Sequence, residues 1–286
     1  ENMNLLCKTN AGEVDILLAK IEDSVNILSH NALSELSDIG MLKDDSFRAI
    51  YSSNLGKNAL HHIESIEGAM AIYIRYNPSH IGKSDGFFYV KNKDTQKFEN
   101  QPLIDISLYA EDDIEHVGWW HIPTKYQTAT WIEAYHNANI NQDIISYVVP
   151  LYMNEQLIGV IGADISIEHI EALVKQISIY SSGKAALLKS DGTVVYHPNF
   201  ERGHLIGEGD PGFDGVVEKF SKEERTDGLI KYELDGIKKR IASCKLRNGM
   251  LMVCFAPVSE IYREQHMLSF LIFVCTLIVI ILASIG

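Results

Sequence analysis

The stretch IISYVVPLYMNEQLIGVIGADISIEHI, residues 144–170, sets the architecture. It holds two apolar runs, IISYVVPLY and QLIGVIGADI, separated by Met153-Asn154-Glu155. Two runs of strand length around a short polar break predict an antiparallel hairpin. The period then changes. Ser166 is placed to cap a helix with Glu168 in its first turn, and Ile167, Ile170, Val174 and Ile177 fall on one face of that helix. Strands that feed an amphipathic helix in this way predict an α+β fold, an antiparallel sheet covered by helices.

Upstream of the hairpin the same logic holds. AMAIYIRY (69–76) alternates with a period of two, and GFFYVKN follows after Asn77-Pro78. Before them the pattern is helical. Val14, Leu18, Ile21, Val25, Leu28 and Ala32 form a heptad seam, which fits either a helix packed on its own domain or a helix–helix dimer contact. Ser37-Asp38-Ile39-Gly40 breaks that helix, and Asp44-Asp45-Ser46 can cap a second one running to about Ile66.

Downstream lie three further hairpin signals. KAALLK and TVVYH flank Ser190-Asp191-Gly192, GLIKYEL and IKKRIASCKL flank Asp235-Gly236, and GMLMVCFAP follows Asn248-Gly249. A two-residue turn at Asn248-Gly249 would pair Cys244 with Val253 and send the thiols of Cys244 and Cys254 to opposite faces, so free thiols are expected there, with a disulfide as the alternative. A faint repeat links YNPSHIGKSDG, from Tyr76, with YHPNFERGHLIGEGDPG, from Tyr196. Two copies of one sheet module would explain it. The expected boundaries are 1–66 for an N-terminal helical region, 67–181 and 182–257 for the two modules, and 258–286 for a linker helix and an apolar segment.

That last segment bears on location. MLSFLIFVCTLIVIILASIG, Met267 to Gly286, has no charged residue. As a helix rising about 1.5 Å per residue it matches a hydrocarbon core of about 30 Å, which predicts a transmembrane helix. The start of the chain is polar and has no cleavable signal pattern, so the sequence reads as an excerpt. The formal charge is −13, with 25 Lys+Arg against 38 Asp+Glu. Such a surface repels phosphate backbones, so no nucleic-acid partner is expected.

Catalytic signatures are missing. There is no Walker loop, HExxH, Cys-x-x-Cys or EF-hand pattern. Gly82-Lys83-Ser84-Asp85-Gly86 matches Gly-x-Ser-x-Gly, but a polar turn precedes it and a strand follows, which is the wrong context for a nucleophile elbow. The histidines lack partners at metal-ligand spacing. No enzyme activity, cofactor or metal is expected.

All three tryptophans, Trp119, Trp120 and Trp131, fall within GWWHIPTKYQTATWIEAYHN, residues 118–137, together with Tyr135 and Asn137. The stretch reads as the longest irregular segment of the first module, and long loops in compact domains are usually functional. Large amphipathic rings suit the wall of a small-molecule pocket. A satellite aromatic core that pins down a loop is the other reading of the same composition.

The order of these elements resembles the double Cache family, the extracytoplasmic sensor domains of bacterial transmembrane receptors. The residues carrying the likeness are GWWHIP, WIEAYHN, the 144–170 stretch, KAALLKSDGTVVYHPN, Leu205-Ile206-Gly207 and the terminal apolar segment. The resemblance implies a long N-terminal helix with dimer contacts, two PAS-like antiparallel-sheet modules in tandem and a C-terminal transmembrane helix. The membrane-distal module (67–181) would hold the ligand and the membrane-proximal one would be 182–257. It implies a small-molecule-sensing domain at the bacterial cell membrane, with residues 1 to about 262 outside the cytoplasm. Its site would comprise Trp119, Trp120, Tyr135, Asn137 and Asp164, and the aromatic composition of the 118–137 stretch adds Trp131 to the walls. Family members that bind amino acids carry an arginine two residues before the first aromatic of the Trp119-Trp120 pair; here Val117 stands there. The expected ligand is therefore a small polar metabolite, an amine received by Asp164 being one candidate. A protein-binding ectodomain with no small-molecule ligand is the alternative.

Overall fold

The computed structural model describes residues 2–209, 230–234 and 236–285. In chain order come α1 (Asn2–Ser34), a 3-10 turn (Ile39–Lys43), α2 (Asp45–Ile63), β1 (Ala69–Tyr76), the short α3 (Pro78–Ile81), β2 (Gly86–Lys91), β3 (Phe98–Asn100) and α4 (Ile114–Tyr126). They continue with β4 (Thr130–Asn137), β5 (Gln142–Met153), β6 (Gln156–Ser166), α5 (Ile167–Gln176), β7 (Lys184–Leu188), β8 (Val194–Tyr196) and α6 (Ile206–Gly209). The last are β9 (Ile230–Leu234), β10 (Ile237–Lys245), β11 (Leu251–Pro257) and α7 (Val258–Ile285). The chain divides into two compact units. One comprises Gly12–Leu173 with Leu246–Met250; the other comprises Glu1–Ala11, Val174–Lys245 and Leu251–Gly286.

The larger unit is built on a six-stranded antiparallel sheet of order β3-β2-β1-β6-β5-β4. Its centre is the hairpin read from residues 144–170. Met153 pairs with Gln156, and Asn154 and Glu155 between them both take positive φ (49° and 65°), the geometry of the tight turn that suits twisted strands. Ser166 Oγ accepts from His169 N (3.3 Å) as β6 turns into α5, and Ile167, Ile170, Val174 and Ile177 are buried. Strand alternation divides β1 between two faces. Ala71, Tyr73 and Arg75 share one face, and Ile72, Ile74 and Tyr76 the other. Tyr76 on the second face meets α2 through Ser52 (2.8 Å) and the Tyr51 ring.

The first helix resolves an alternative that the sequence left open. The seam residues Val14, Leu18, Ile21, Val25, Leu28 and Ala32 are all buried within the chain itself. The heptad is therefore a packing face of this protein, and those side chains are not available to a second copy. Asp44 caps α2 as read, its Oδ1 accepting from Ser46 N and Phe47 N.

The segment 118–137 corrects the sequence reading. It is not an irregular loop but the main part of α4 followed by β4. Two features masked the helix. Its apolar residues do not fall on one side, and Pro123 lies inside it, where proline removes a backbone hydrogen bond. The start signal was nonetheless present: Asp113 Oδ1 accepts from His116 N (3.1 Å), an N-cap, and Gln127 ends the helix with φ 55°.

The smaller unit holds a five-stranded antiparallel sheet of order β8-β7-β11-β10-β9. Ala186, Leu188, Val194, Ile206, Ile241, Leu251, Val253 and Phe255 form its core, with Phe200 packed against them. The register between β10 and β11 departs from expectation. Leu246 N bonds Met250 O (2.8 Å), closing a longer loop than a two-residue turn, so Cys244 pairs with Met252 and not with Val253. The one-residue shift places Cys244 and Cys254 on the same face. Among the described residues, which include all four cysteines, there is no disulfide. Asp210-Pro211-Gly212, the end of the second repeat copy, lies outside the described residues.

Helix α7 follows β11 directly after Pro257. Among the described residues no helix is long and apolar enough to cross a membrane. The expected span over 267–286 includes positions outside that description. Of its described side chains, Phe270, Leu271, Ile272, Phe273, Leu277, Ile278 and Ile280 are all exposed.

Candidate ligand cavity in the six-stranded module

The first face of β1 looks into a cavity of about 230 Å³. Tyr73 and Arg75 line it from β1, Phe88 from β2, Trp119 from α4, Asn137 from the end of β4 and Asp164 from β6. Asn139 and the segment carrying Gln101, Pro102 and Ile104 complete the wall. The packing beneath is apolar: Tyr73, Trp119, Trp120, Ile132, Val148 and Val160 form one cluster.

Asp164 is held from across the sheet. Ser146 is its partner on β5 and donates its hydroxyl to Asp164 Oδ1 (2.7 Å). The Tyr135 hydroxyl lies 3.0 Å from the Ser146 hydroxyl, so a polar relay crosses β4, β5 and β6. The other carboxylate oxygen, Oδ2, is buried without a partner among the described residues. Burial raises the Asp164 pKa from the ordinary 3.8 to about 7, outweighing the bond from Ser146. The Tyr73 hydroxyl is likewise buried and unpartnered, and burial together with the Asp164 charge pushes its pKa up. Gly162 faces Tyr73 on β6; a Cβ there would lie 2.4 Å from the Tyr73 hydroxyl oxygen, so the glycine leaves room for the ring.

Arg75 lies on the same face, 5% exposed. Its Nη2 donates to the Ile104 carbonyl (2.5 Å) and its guanidinium sits 5.1 Å from the Trp119 ring centroid. Among the described residues it forms no ion pair. Burial lowers its pKa to about 10, against weaker opposing effects of Tyr73, Asp105 and Asp85. Trp119 is fixed by its own indole N–H, which donates to His116 O (2.8 Å), and by an edge contact with Tyr73 (5.5 Å). The Asn137 amide oxygen accepts from Asn139 N (3.0 Å). Among the described residues no three metal-ligating side chains converge.

Trp119, Asn137 and Asp164 therefore meet at one cavity, and Tyr135 stands behind it in the relay. Trp120 and Trp131 do not line it. Neighbouring residues on a helix point about 100° apart, and Trp120 instead lines an open cleft with Asn77, Asp105 and His121. Alternation along β4 sends Ile132 to the cavity side and Trp131 to the opposite one, where its Nε1 donates to Glu22 Oε1 of α1 (2.6 Å) and its ring meets Tyr147 (5.0 Å). The sequence reading missed Tyr73 and Arg75. The signal was a charged residue in phase with Ala71 and Tyr73 in an otherwise apolar strand.

Residues 2–265 match the family model of the Cache domain. The methyl-accepting chemotaxis protein PctB of Pseudomonas aeruginosa is 23% identical over 121 residues, 42% of this chain and 17% of that protein. PscA of Pseudomonas syringae pv. tomato, also a methyl-accepting chemotaxis protein, is 26% identical over 90 residues, 32% of this chain and 14% of its own length. This chain thus matches only a small part of each. The sensory domain of the Campylobacter jejuni chemoreceptor Tlp3, solved with isoleucine bound, shares the fold with a TM-score of 0.61 at 18% identity, covering 91% of this chain and 93% of that one. With the family model matched along nearly its whole length, this chain belongs to the Cache domain family.

Proposed function

We propose that this chain is the extracytoplasmic sensing part of a transmembrane signalling receptor, and that the cavity of the six-stranded module receives a small amine. The observation that carries this is Asp164. A carboxylate 1% exposed with one oxygen unpartnered costs stability. A ligand ammonium would satisfy that oxygen, and Trp119 and Phe88 supply apolar wall for the rest of the molecule. Family membership and the isoleucine found in the Tlp3 domain support a small-molecule ligand.

On this reading the module of residues 67–181 is membrane-distal and that of 182–257 membrane-proximal. The uncharged run 267–286 is the membrane span, which accounts for its outward-facing apolar side chains. Residues 1 to about 262 lie outside the cytoplasm at the bacterial cell membrane. Ligand binding shifts a population between two arrangements, and the helix that β11 feeds carries the shift. A differential affinity of a few kcal/mol is on the scale that such a shift needs. A homodimer in contact along α1 would use exposed residues such as Leu5, Ile16 and Ile27, since the heptad seam is taken. The output would be a chemotaxis stalk, a kinase or a cyclase.

The test is intrinsic fluorescence and calorimetry on the chain in nanodiscs, titrated with primary amines, organic acids, purines and sugars. An amine that binds the wild type, and is lost in both Asp164→Asn and Trp119→Ala, supports the reading. A well-folded chain that ignores the whole panel but captures a protein partner through Trp119 replaces it with the protein-binding alternative.

A further inference from the structure

We infer that Cys7 of α1 and Cys254 of β11 are a disulfide-forming pair that staples the start of the chain to the strand feeding α7. Both side chains are fully buried. The inference takes its oxidant from the proposed placement of residues 1 to about 262 outside the cytoplasm, where disulfides form and persist.

The sheet brings the two sulfurs together. Leu251, Val253 and Phe255 point into the apolar core of the five-stranded module. Met252, Cys254 and Ala256 alternate to the opposite face, and they too are buried. The first turns of α1 cover that face. Met3, Cys7 and Ala11 recur every four residues, so they lie on one side of the helix, and all three are buried. Cys7 Sγ lies 3.6 Å from the carbonyl oxygen of Ala242 and 3.8 Å from that of Met252. Ala242 is the residue directly opposite Cys254 in the β10–β11 register, and Met252 precedes Cys254 by two on the same strand. The Cys7 sulfur is thus seated over the Cys254 position. A hydrogen bond with the Cys254 thiol, and then burial, push the Cys7 pKa up. Cys244 shares the Cys254 face but pairs with Met252. That diagonal offset is about 7–8 Å, whereas bridged cysteines rarely exceed about 6.8 Å between α-carbons.

The reduced pair is chemically quiet once folded. A thiol attacks only as its thiolate, and the raised pKa keeps Cys7 protonated at neutral pH. The bond therefore forms as the chain folds, before burial. One cysteine thiolate displaces a thiolate from an external disulfide and gives a mixed disulfide. The second cysteine attacks the sulfur of the first, joins Cys7 to Cys254 and releases the second external thiolate. Two electrons and two protons pass to the external disulfide, which leaves as two thiols. The finished bond lies beyond the reach of soluble reductant, so it is a permanent staple and not a switch. It holds α1 on the strand that runs into α7, and a displacement of either must move the other.

The test follows the bond itself. The chain in nanodiscs is reduced, unfolded in urea and refolded in a glutathione redox buffer. It is then alkylated under denaturing conditions, digested and mapped by mass spectrometry. The expected result is a linked Cys7–Cys254 peptide pair, two hydrogens lighter than its parts, in most chains. The bond should survive dithiothreitol while the chain is folded and be lost when urea is added. The oxidised chain should melt roughly 5–10 °C above the reduced one. Cys7→Ala combined with Cys254→Ala should melt alike with and without reductant, and comparing each chain with itself removes the cost of the lost sulfurs. The inference is overturned if refolding leaves both thiols alkylated, if Cys254 is joined to Cys244 instead, or if oxidised and reduced wild type melt together. Chains alkylated in intact cells before lysis test the placement separately. A bond that forms in glutathione but is absent from cells upholds the pair and overturns the extracytoplasmic placement. No bond in glutathione overturns the pair and leaves the placement standing.

Discussion

The two sheets of this chain are built alike and filled differently. Both are antiparallel, and both contain a strand ending in Tyr-x-Pro, at Tyr76 and at Tyr196. In the six-stranded sheet the inward positions of β1 and β6 carry Tyr73, Arg75 and Asp164 around a cavity. In the described part of the five-stranded sheet the core positions carry Ala186, Leu188, Ile241, Val253 and Phe255. One arrangement stores unmet polar groups and the other stores contact area. The difference lies in three inward-facing side chains, not in the scaffold.

The comparison can be broken from either side. Val253 is fully buried between Ser243 on β10 and Ala186 on β7. Val253→Asp would place an unpartnered carboxylate in the apolar core. The expected loss exceeds about 4 kcal/mol at neutral pH, enough to unfold that unit, because Ala186, Leu188, Ile241, Leu251 and Phe255 pack there as an apolar cluster and the hydroxyl opposite, on Ser243, does not offset the burial of a charge. Thermal melts followed by circular dichroism would show it, and a loss under 1 kcal/mol would mean that the two cores are more alike than drawn here.

The reverse substitution is expected to stabilise. Asp164 has a folded pKa of about 7 against an ordinary value of 3.8. Between those values the folded chain holds a proton that the unfolded chain has lost, so stability falls as pH rises through the window and stays low above it. At 1.36 kcal/mol per pH unit the full penalty is on the order of 4 kcal/mol. Asp164→Asn should therefore match the wild type near pH 4 and melt higher near pH 8, while losing the ligand. Ligand affinity in the wild type should rise with pH up to about 7, as the carboxylate ionises. Equal melting of variant and wild type at pH 8 would show that Asp164 is not carrying a buried charge.

Much of this was legible in the residues, for reasons that can be named. Hairpins announced themselves because Asn154-Glu155, Asp191-Gly192 and Asp235-Gly236 interrupt alternating runs, and local turn chemistry is written locally. Asp164, Asn137 and Trp119 emerged as cavity residues from a family likeness. Arg75 did not, because its meaning depends on which face of β1 looks inward, and that is decided by α1 and α2 covering the other face. Trp120 and Trp131 looked equivalent to Trp119 in composition. Helical rotation and strand alternation, not residue type, send them elsewhere. The α4 helix was hidden by Pro123 and by apolar residues on every side of it, because tertiary burial stabilises what local periodicity does not advertise.

The smallest expected effect is also the sharpest on this point. Trp119 and Trp131 each donate one indole hydrogen bond, to His116 O at 2.8 Å and to Glu22 Oε1 at 2.6 Å, and each lies against a tyrosine ring. They differ in the side of the sheet they serve. Trp131→Phe keeps an aromatic ring against Tyr147 and removes the bond to Glu22, whose other carboxylate oxygen still pairs with Arg247. The expected cost is about 1 kcal/mol of stability, with ligand affinity unchanged. The fluorescence response to ligand should survive in Trp131→Phe and disappear in Trp119→Phe, because only Trp119 borders the cavity. If the response vanished with Trp131 instead, the ligand would have to act on the α1 face of the sheet, and the cavity behind Asp164 would no longer account for recognition.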